Sequence, residues 1–155
     1  MNDREERYKL LVSQLSALLE GEHDSMPVLA NTAAALYDAF KERFLWAGFY
    51  MVSEGELVLG PFQGPVACMH IARGKGVCGT CWAEGRTIIV PNVNEFHGHI
   101  ACSSESRSEI VVPVRKKGVV AGVIDIDSQS FGAFDATDAH YLEQIADIVA
   151  RQLYD

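Results

Sequence analysis

The chain has 155 residues, a net charge of −8 at pH 7 and an isoelectric point near 5.0, so it suits one domain, residues 1–155, with a real core and no need of disulfide staples. The acidic balance argues against nucleic acid or an anionic membrane surface as partner, and no apolar run reaches membrane-spanning length. The charged N-terminus MNDREERYKL does not read as a signal peptide, so the expected compartment is the cytoplasm, where cysteines are more often catalytic, redox-sensing or metal-binding than structural.

In residues 5–20, Tyr8, Leu11, Leu15 and Leu18 recur at helical spacing, and Gly21 ends the run. Ser25 and Pro27 start a second helix, with Leu29, Ala33, Leu36, Tyr37 and Phe40 on one face. Residues 45–52 change period to two. Trp46, Gly48 and Tyr50 share one side of a strand, and Leu45, Ala47, Phe49 and Met51 the other. Further strands are predicted over 56–60, 66–71 and 87–90, with a short helix over 77–84. Residues 91–108 read as a long polar loop, of a length usually functional or mobile. Two strands follow, 109–115 and 119–127. A last helix is capped by Asp135 and carries Leu142, Ile145, Ala146, Val149 and Leu153 on one face. This order predicts an α+β fold, a largely antiparallel sheet with helices packed against it.

The last two strands bring acids together. With Lys116-Lys117-Gly118 as a three-residue turn, Arg115 faces Val119, Pro113 faces Ala121, Val111 faces Val123 and Glu109 faces Asp125. Asp127 then lies on the same side, one diagonal step away. One acid at a strand end is ordinarily just solvated. Three on a face shared with Val111, Ala121 and Val123 point to a site, and their repulsion should raise at least one pKa far enough to donate a proton near neutrality. Pro113 sits awkwardly in such a strand, because it removes a ladder hydrogen bond.

All four cysteines lie between positions 68 and 102. Cys78-Gly79-Thr80-Cys81 is a C-x-x-C motif without the βαβ unit that a thioredoxin-like reading needs. A zinc site could recruit Cys68, Cys102, His70, His97 or His99, but the second close ligand pair would have to be His97-x-His99 or scattered thiols, so zinc ranks below the other readings and no metal is expected. Cys68 and Cys78 read most simply as small buried hydrophobes. Cys102, in the polar loop before the acidic strand, suits a reactive thiol. The nearby acids oppose its ionisation unless Arg107, a backbone amide or a protonated acid compensates. Trp46 and Tyr50 are an ordinary core pair, or an aromatic wall for a methyl group or a cation. His97 and His99 read as hydrogen-bonding loop residues.

The runs Leu59-Gly60-Pro61-Phe62-Gln63-Gly64, Gly76-Val77-Cys78-Gly79-Thr80, Gly98-His99-Ile100-Ala101-Cys102, Ser108-Glu109-Ile110-Val111-Val112-Pro113 and Gly122-Val123-Ile124-Asp125-Ile126-Asp127-Ser128 resemble the free methionine-(R)-sulfoxide reductases, which are single GAF-domain enzymes. The likeness covers nearly the whole chain and is densest over residues 44–128. It implies a GAF-like α+β fold, a central, mostly antiparallel sheet of about six strands flanked by helices, in proteins that often dimerise. It further implies that Cys102 is the catalytic cysteine, Cys68 the resolving one and Cys78 an auxiliary one. Glu109, Asp125 and Asp127 would bind and protonate substrate, and Trp46 and Tyr50 would form its aromatic wall. The implied activity is reduction of free methionine (R)-sulfoxide through a sulfenic acid and an intramolecular disulfide, recycled by a thioredoxin-type reductant, with no cofactor. Ser103 stands where many relatives carry Asp, Cys81 is an extra thiol, and residues 69–73 differ in detail from the usual run. The competing classes are a GAF module that senses a small molecule without turnover, and a zinc or thiol redox sensor.

Overall fold

The structure, a computed structural model, describes residues 2–99 and 105–155; Cys102 and its neighbours lie outside the described residues. Two helices open the chain, α1 (Asp3–Leu19) and α2 (Ser25–Ala39). The strands are β1 (Trp46–Ser53), β2 (Glu56–Gln63), β3 (His70–Ala72), β4 (Ile88–Val90), β5 (Ser108–Lys116) and β6 (Val119–Ser128). Helix α3 (Gly76–Glu84) lies between β3 and β4, and α4 (Ala136–Tyr154) closes the chain. The strands form one sheet in the order β3-β2-β1-β6-β5-β4, with every pairing antiparallel.

Period-two alternation assigns the two sides of this sheet. Ala47, Phe49, Ile110, Val112, Val114, Ile124 and Ile126 face α1, α2 and α4 in the larger core. Trp46, Tyr50, Val111 and Val123 face the other way, into a smaller core with α3 and β3. Helix α4 starts where the sequence predicts, with Asp135 and Asp138 forming a capping box. Asp138 also ties the helices together. Its fully buried carboxylate accepts from Tyr8 Oη at 2.6 Å and from Arg4 Nη1 at 3.2 Å.

Three expectations are corrected. The strand expected over 66–71 is only His70–Ala72. Gly64, at φ 131°, and Pro65 break the extended run. Two side chains of β1 then capture carbonyls that a strand would have used: Trp46 Nε1 donates to Pro65 O at 3.0 Å, and Tyr50 Oη to Cys68 O at 2.8 Å. The loop over 91–108 contains a 3₁₀ turn, Val93–Glu95, and yields Ser108 to β5.

The third correction concerns the acidic hairpin. The turn has two residues, not three. Lys117 and Gly118 have φ of 51° and 84°, and Lys116 pairs with Val119. Positive φ at both positions is the type I′ geometry that matches strand twist. Continued regularly, that register would set Glu109 against Ile126 and turn its carboxyl into the helix-packed core, because a one-residue slip exchanges the faces of a strand. A bulge prevents this. Val114 pairs with Gly122 while Arg115 pairs with Val120, so Ala121 is extra. Beyond the bulge Glu109 faces Asp127, and Asp125 faces Val111. The predicted face is right, but the predicted opposite pair, Glu109 with Asp125, is replaced by Glu109 with Asp127.

Gly48 lets β2 pack closely against β1 beside this face. It pairs with Asp125 on one side and Phe62 on the other. A Cβ at position 48 would lie 2.3 Å from Phe62 Cβ, 2.8 Å from Phe62 Cα and 2.9 Å from Pro61 O, so backbone would have to move. Gly48→Ala is therefore expected to cost at least about 1–3 kcal/mol, the usual range for overpacking. Urea unfolding should show a lower midpoint at unchanged slope, and wild-type stability would contradict this close packing.

Candidate active site

The smaller-core face of the sheet ends in a cleft of about 550 Å³, counted to its open mouth. Its floor is Glu109 of β5 with Asp125 and Asp127 of β6. One wall is aromatic: Trp46 stacks on Tyr50 at 5.9 Å and on Phe62 at 5.1 Å between ring centroids. The carbonyl bonds from Trp46 and Tyr50 to Pro65 and Cys68 hold the segment after β2 against that wall, and Val66 and Ala67 reach the cleft. The start of α3 contributes Gly76, Val77 and Cys78, and the loop before β5 contributes His99 and Ser106.

No lysine or arginine lines the cleft among the described residues. Glu109 and Asp125 are each 6% exposed, so the acids meet one another with little water between them. Burial, then the charges of Asp125 and Asp127, pushes the Glu109 carboxyl well above the usual carboxylate range. Burial and then Asp125 do the same to Asp127, opposed by a hydrogen bond from Ser106 Oγ at 3.0 Å. Asp125 is raised by burial, but hydrogen bonds from Glu109 and Cys78 favour its charged form. Burial and mutual repulsion thus push Glu109 and Asp127 hardest toward the neutral form, and Asp125 is the acid whose hydrogen bonds favour charge. Asp125 Oδ1 is buried and has no hydrogen-bond partner.

The sequence-predicted residues divide as follows. Trp46, Tyr50, Cys78, Glu109, Asp125 and Asp127 all line the cleft. Cys78 is buried, and burial followed by the Asp125 and Glu109 charges pushes its thiol well up, so it remains protonated. Cys68 is half-buried in the segment that the aromatic wall holds. Cys81 is wholly buried behind the cleft lining, its pKa pushed up to about 12 chiefly by burial, so it is no candidate for an accessible redox partner. Cys102 lies outside the described residues. His70 pairs with Glu56 on an exposed strand instead of joining the thiols. Among the described residues, the cluster with metal-ligand proximity is Cys78, Glu109 and Asp125, whose donor atoms lie within 4.8 Å of one another.

The sequence reading weighed His99 only as a zinc ligand or a hydrogen-bonding loop residue, and it missed Ser106. His99 Nε2 lies 3.8 Å from Glu109 Oε1, and burial lowers its pKa, which favours the neutral ring. Both residues arrive by loop trajectory, which no periodicity encodes. Gly48 was placed on the correct side of β1, but its role beside Asp125 needed the strand order.

The family model described as GAF domain matches residues 23–153. A protein of Dictyostelium discoideum named GAF domain-containing protein A is 52% identical over 143 residues, 92% of this chain and 89% of that protein. The free methionine-R-sulfoxide reductase of Escherichia coli (strain K12) is 44% identical over 143 residues, 92% of this chain and 86% of that enzyme. Among solved structures, free methionine-R-sulfoxide reductase from Neisseria meningitidis in complex with its substrate superimposes with a TM-score of 0.94 at 46% identity, covering 98% of this chain and 91% of that one. With a GAF core, this acidic cleft against stacked rings, and such identity along nearly the full length, the chain belongs to the GAF-domain family and, within it, to the free methionine-R-sulfoxide reductases.

Proposed function

We propose that this protein reduces the R epimer of free methionine sulfoxide to methionine. The observation that carries the reading is the company Asp125 keeps: a buried carboxyl with an unpartnered oxygen, in a cleft shared with two more buried carboxyls and a stacked aromatic wall. Asp125 receives the substrate ammonium. Glu109 or Asp127 donates a hydrogen bond, then a proton, to the sulfoxide oxygen, which makes the sulfur electrophilic. Trp46 and Tyr50 take the methyl end by apolar contact.

The Cys102 thiolate attacks that sulfur. The oxygen passes to Cys102 as a sulfenic acid, and methionine leaves with the electron pair. The Cys68 thiol then displaces water from the sulfenic acid to form a disulfide, and a thioredoxin-type dithiol reduces it by exchange. Cys78 acts as a positioning residue whose buried S–H steadies the Asp125 carboxylate. These steps use no organic cofactor and suit the reducing cytoplasm. The R epimer should turn over and the S epimer should not, and Cys102→Ser should abolish reduction because a hydroxyl is a poor nucleophile without an activating base. Cys68→Ser should form one equivalent of methionine and then stall with thioredoxin, whereas Cys81→Ser should turn over normally. A Cys102→Ser protein that keeps most of its activity would defeat the assignment.

The acids allow a test in which stability and activity move apart. Glu109 and Asp127 have folded-state pKa values above their unfolded ones. Their contribution to stability is therefore complete below the unfolded carboxyl pKa of about 4 and is lost as pH rises through the folded value. Glu109→Gln and Asp127→Asn cannot ionise, so their stability at neutral and alkaline pH should equal or exceed that of wild type. Turnover should nonetheless fall by at least about tenfold, since losing a general acid commonly costs roughly 100-fold. The wild-type rate should decline at high pH as the donor ionises. Melting curves across pH and single-turnover rates check both halves, and amide variants that melt lower yet remain fully active per folded molecule would make these acids structural.

A further inference from the structure

Outside the cleft lining, Cys81 is sealed in the core, and the large groove beside Met51, Val119 and Tyr154 has nothing that identifies an occupant. The cluster that supports a second ligand lies inside the cleft, on residues that the reduction also uses. Cys78 Sγ and one oxygen each from Glu109 and Asp125 lie within 4.8 Å of one another, all on buried residues. Asp125, which lines the cleft, has its Oδ1 buried without a hydrogen-bond partner. His99 offers a ring nitrogen 3.8 Å from Glu109 Oε1, on a side chain only 16% exposed. No basic residue among those described lines the space to compensate the acids.

We propose that the reduced protein binds a thiophilic divalent cation of the zinc class at Cys78, Glu109 and Asp125, with His99 as the nearest fourth donor. One thiolate, two carboxylates and an imidazole are the ligand types zinc takes, at about 2.0–2.3 Å in a tetrahedron, so the donors would sit roughly 3.3–3.8 Å apart. Closing from the observed spacing needs only small side-chain rotations about strands and a helix that are already in place. The C-x-x-C motif thus supplies one ligand, not two, because Cys81 does not reach the cleft lining. The cation occupies the place assigned above to the substrate ammonium. Competition with substrate therefore rests on the proposed function, while binding itself does not.

The test uses the full chain, reduced with a phosphine and stripped of metal, then titrated with Co²⁺ and afterwards with Zn²⁺. One equivalent of Co²⁺ should bind with a thiolate-to-cobalt charge-transfer band, which Zn²⁺ displaces. The band should vanish in Cys78→Ser and persist in Cys81→Ser. Asp125→Asn, a second variant that spares the thiol, should weaken binding by more than the roughly 10–100-fold that losing an outer-shell partner costs. Melting curves show that each variant is folded. In turnover assays Zn²⁺ should raise the apparent KM for free methionine (R)-sulfoxide and leave kcat unchanged. Absence of the band in folded wild type, its survival in Cys78→Ser, or unchanged affinity in Asp125→Asn overturns the site. Were the protein inactive on the sulfoxide, the cobalt titration would still decide the metal site, so the two readings fail separately.

Discussion

Three carboxyl groups cannot all ionise on a surface walled by valines and aromatic rings. Charge on buried Glu109, Asp125 and Asp127 would cost both desolvation and mutual repulsion. Sharing protons is the less costly state, and it leaves two neutral acids around one anion. That constraint connects the chemistry to the fold. A sulfoxide oxygen needs a proton donor and an ammonium needs an anion, and a cluster unable to ionise fully supplies both. Perturbed acids of this kind concentrate at functional sites because solvated surfaces do not produce them.

The backbone keeps the acids together by two departures from regular pairing. The type I′ turn at Lys117 and Gly118 alone would have sent Glu109 to the other side of the sheet. The extra residue at Ala121 returns it to the side of Asp125 and Asp127. Gly48, beside Asp125, admits the close approach of Phe62, and Trp46 lies next to Asp127 in the adjoining strand. The hydrogen bonds that Trp46 and Tyr50 give to Pro65 and Cys68 then hold the Cys68 segment at the edge of the same cleft. Strand parity thus sets the chemistry of the floor, and aromatic polar tips set the position of the rim.

The long helices were legible from the sequence because their apolar spacing is strong, and at α4 the Asp135 cap marked the start as well. The shared face of the three acids was legible too, since a register error of two residues preserves parity. The register itself was not: one residue fewer in the turn and one more in the bulge leave almost no local sequence trace. The strand expected over 66–71 was shortened by side chains of β1 that approach it only in the fold. Ser106 was invisible as a site residue, and His99 could not be placed beside Glu109, for a similar reason, because loops bring them in. The C-x-x-C spacing invited a joint role for Cys78 and Cys81, yet of the two only Cys78 lines the cleft.

The most direct measurement is the ionisation of the three acids in the substrate-free protein, read from side-chain carboxyl carbon-13 shifts across pH. Glu109 and Asp127 should remain protonated through neutral pH while Asp125 carries the charge, with the titrations visibly coupled. Three independent carboxyls titrating near the ordinary value of about 4 would contradict the account.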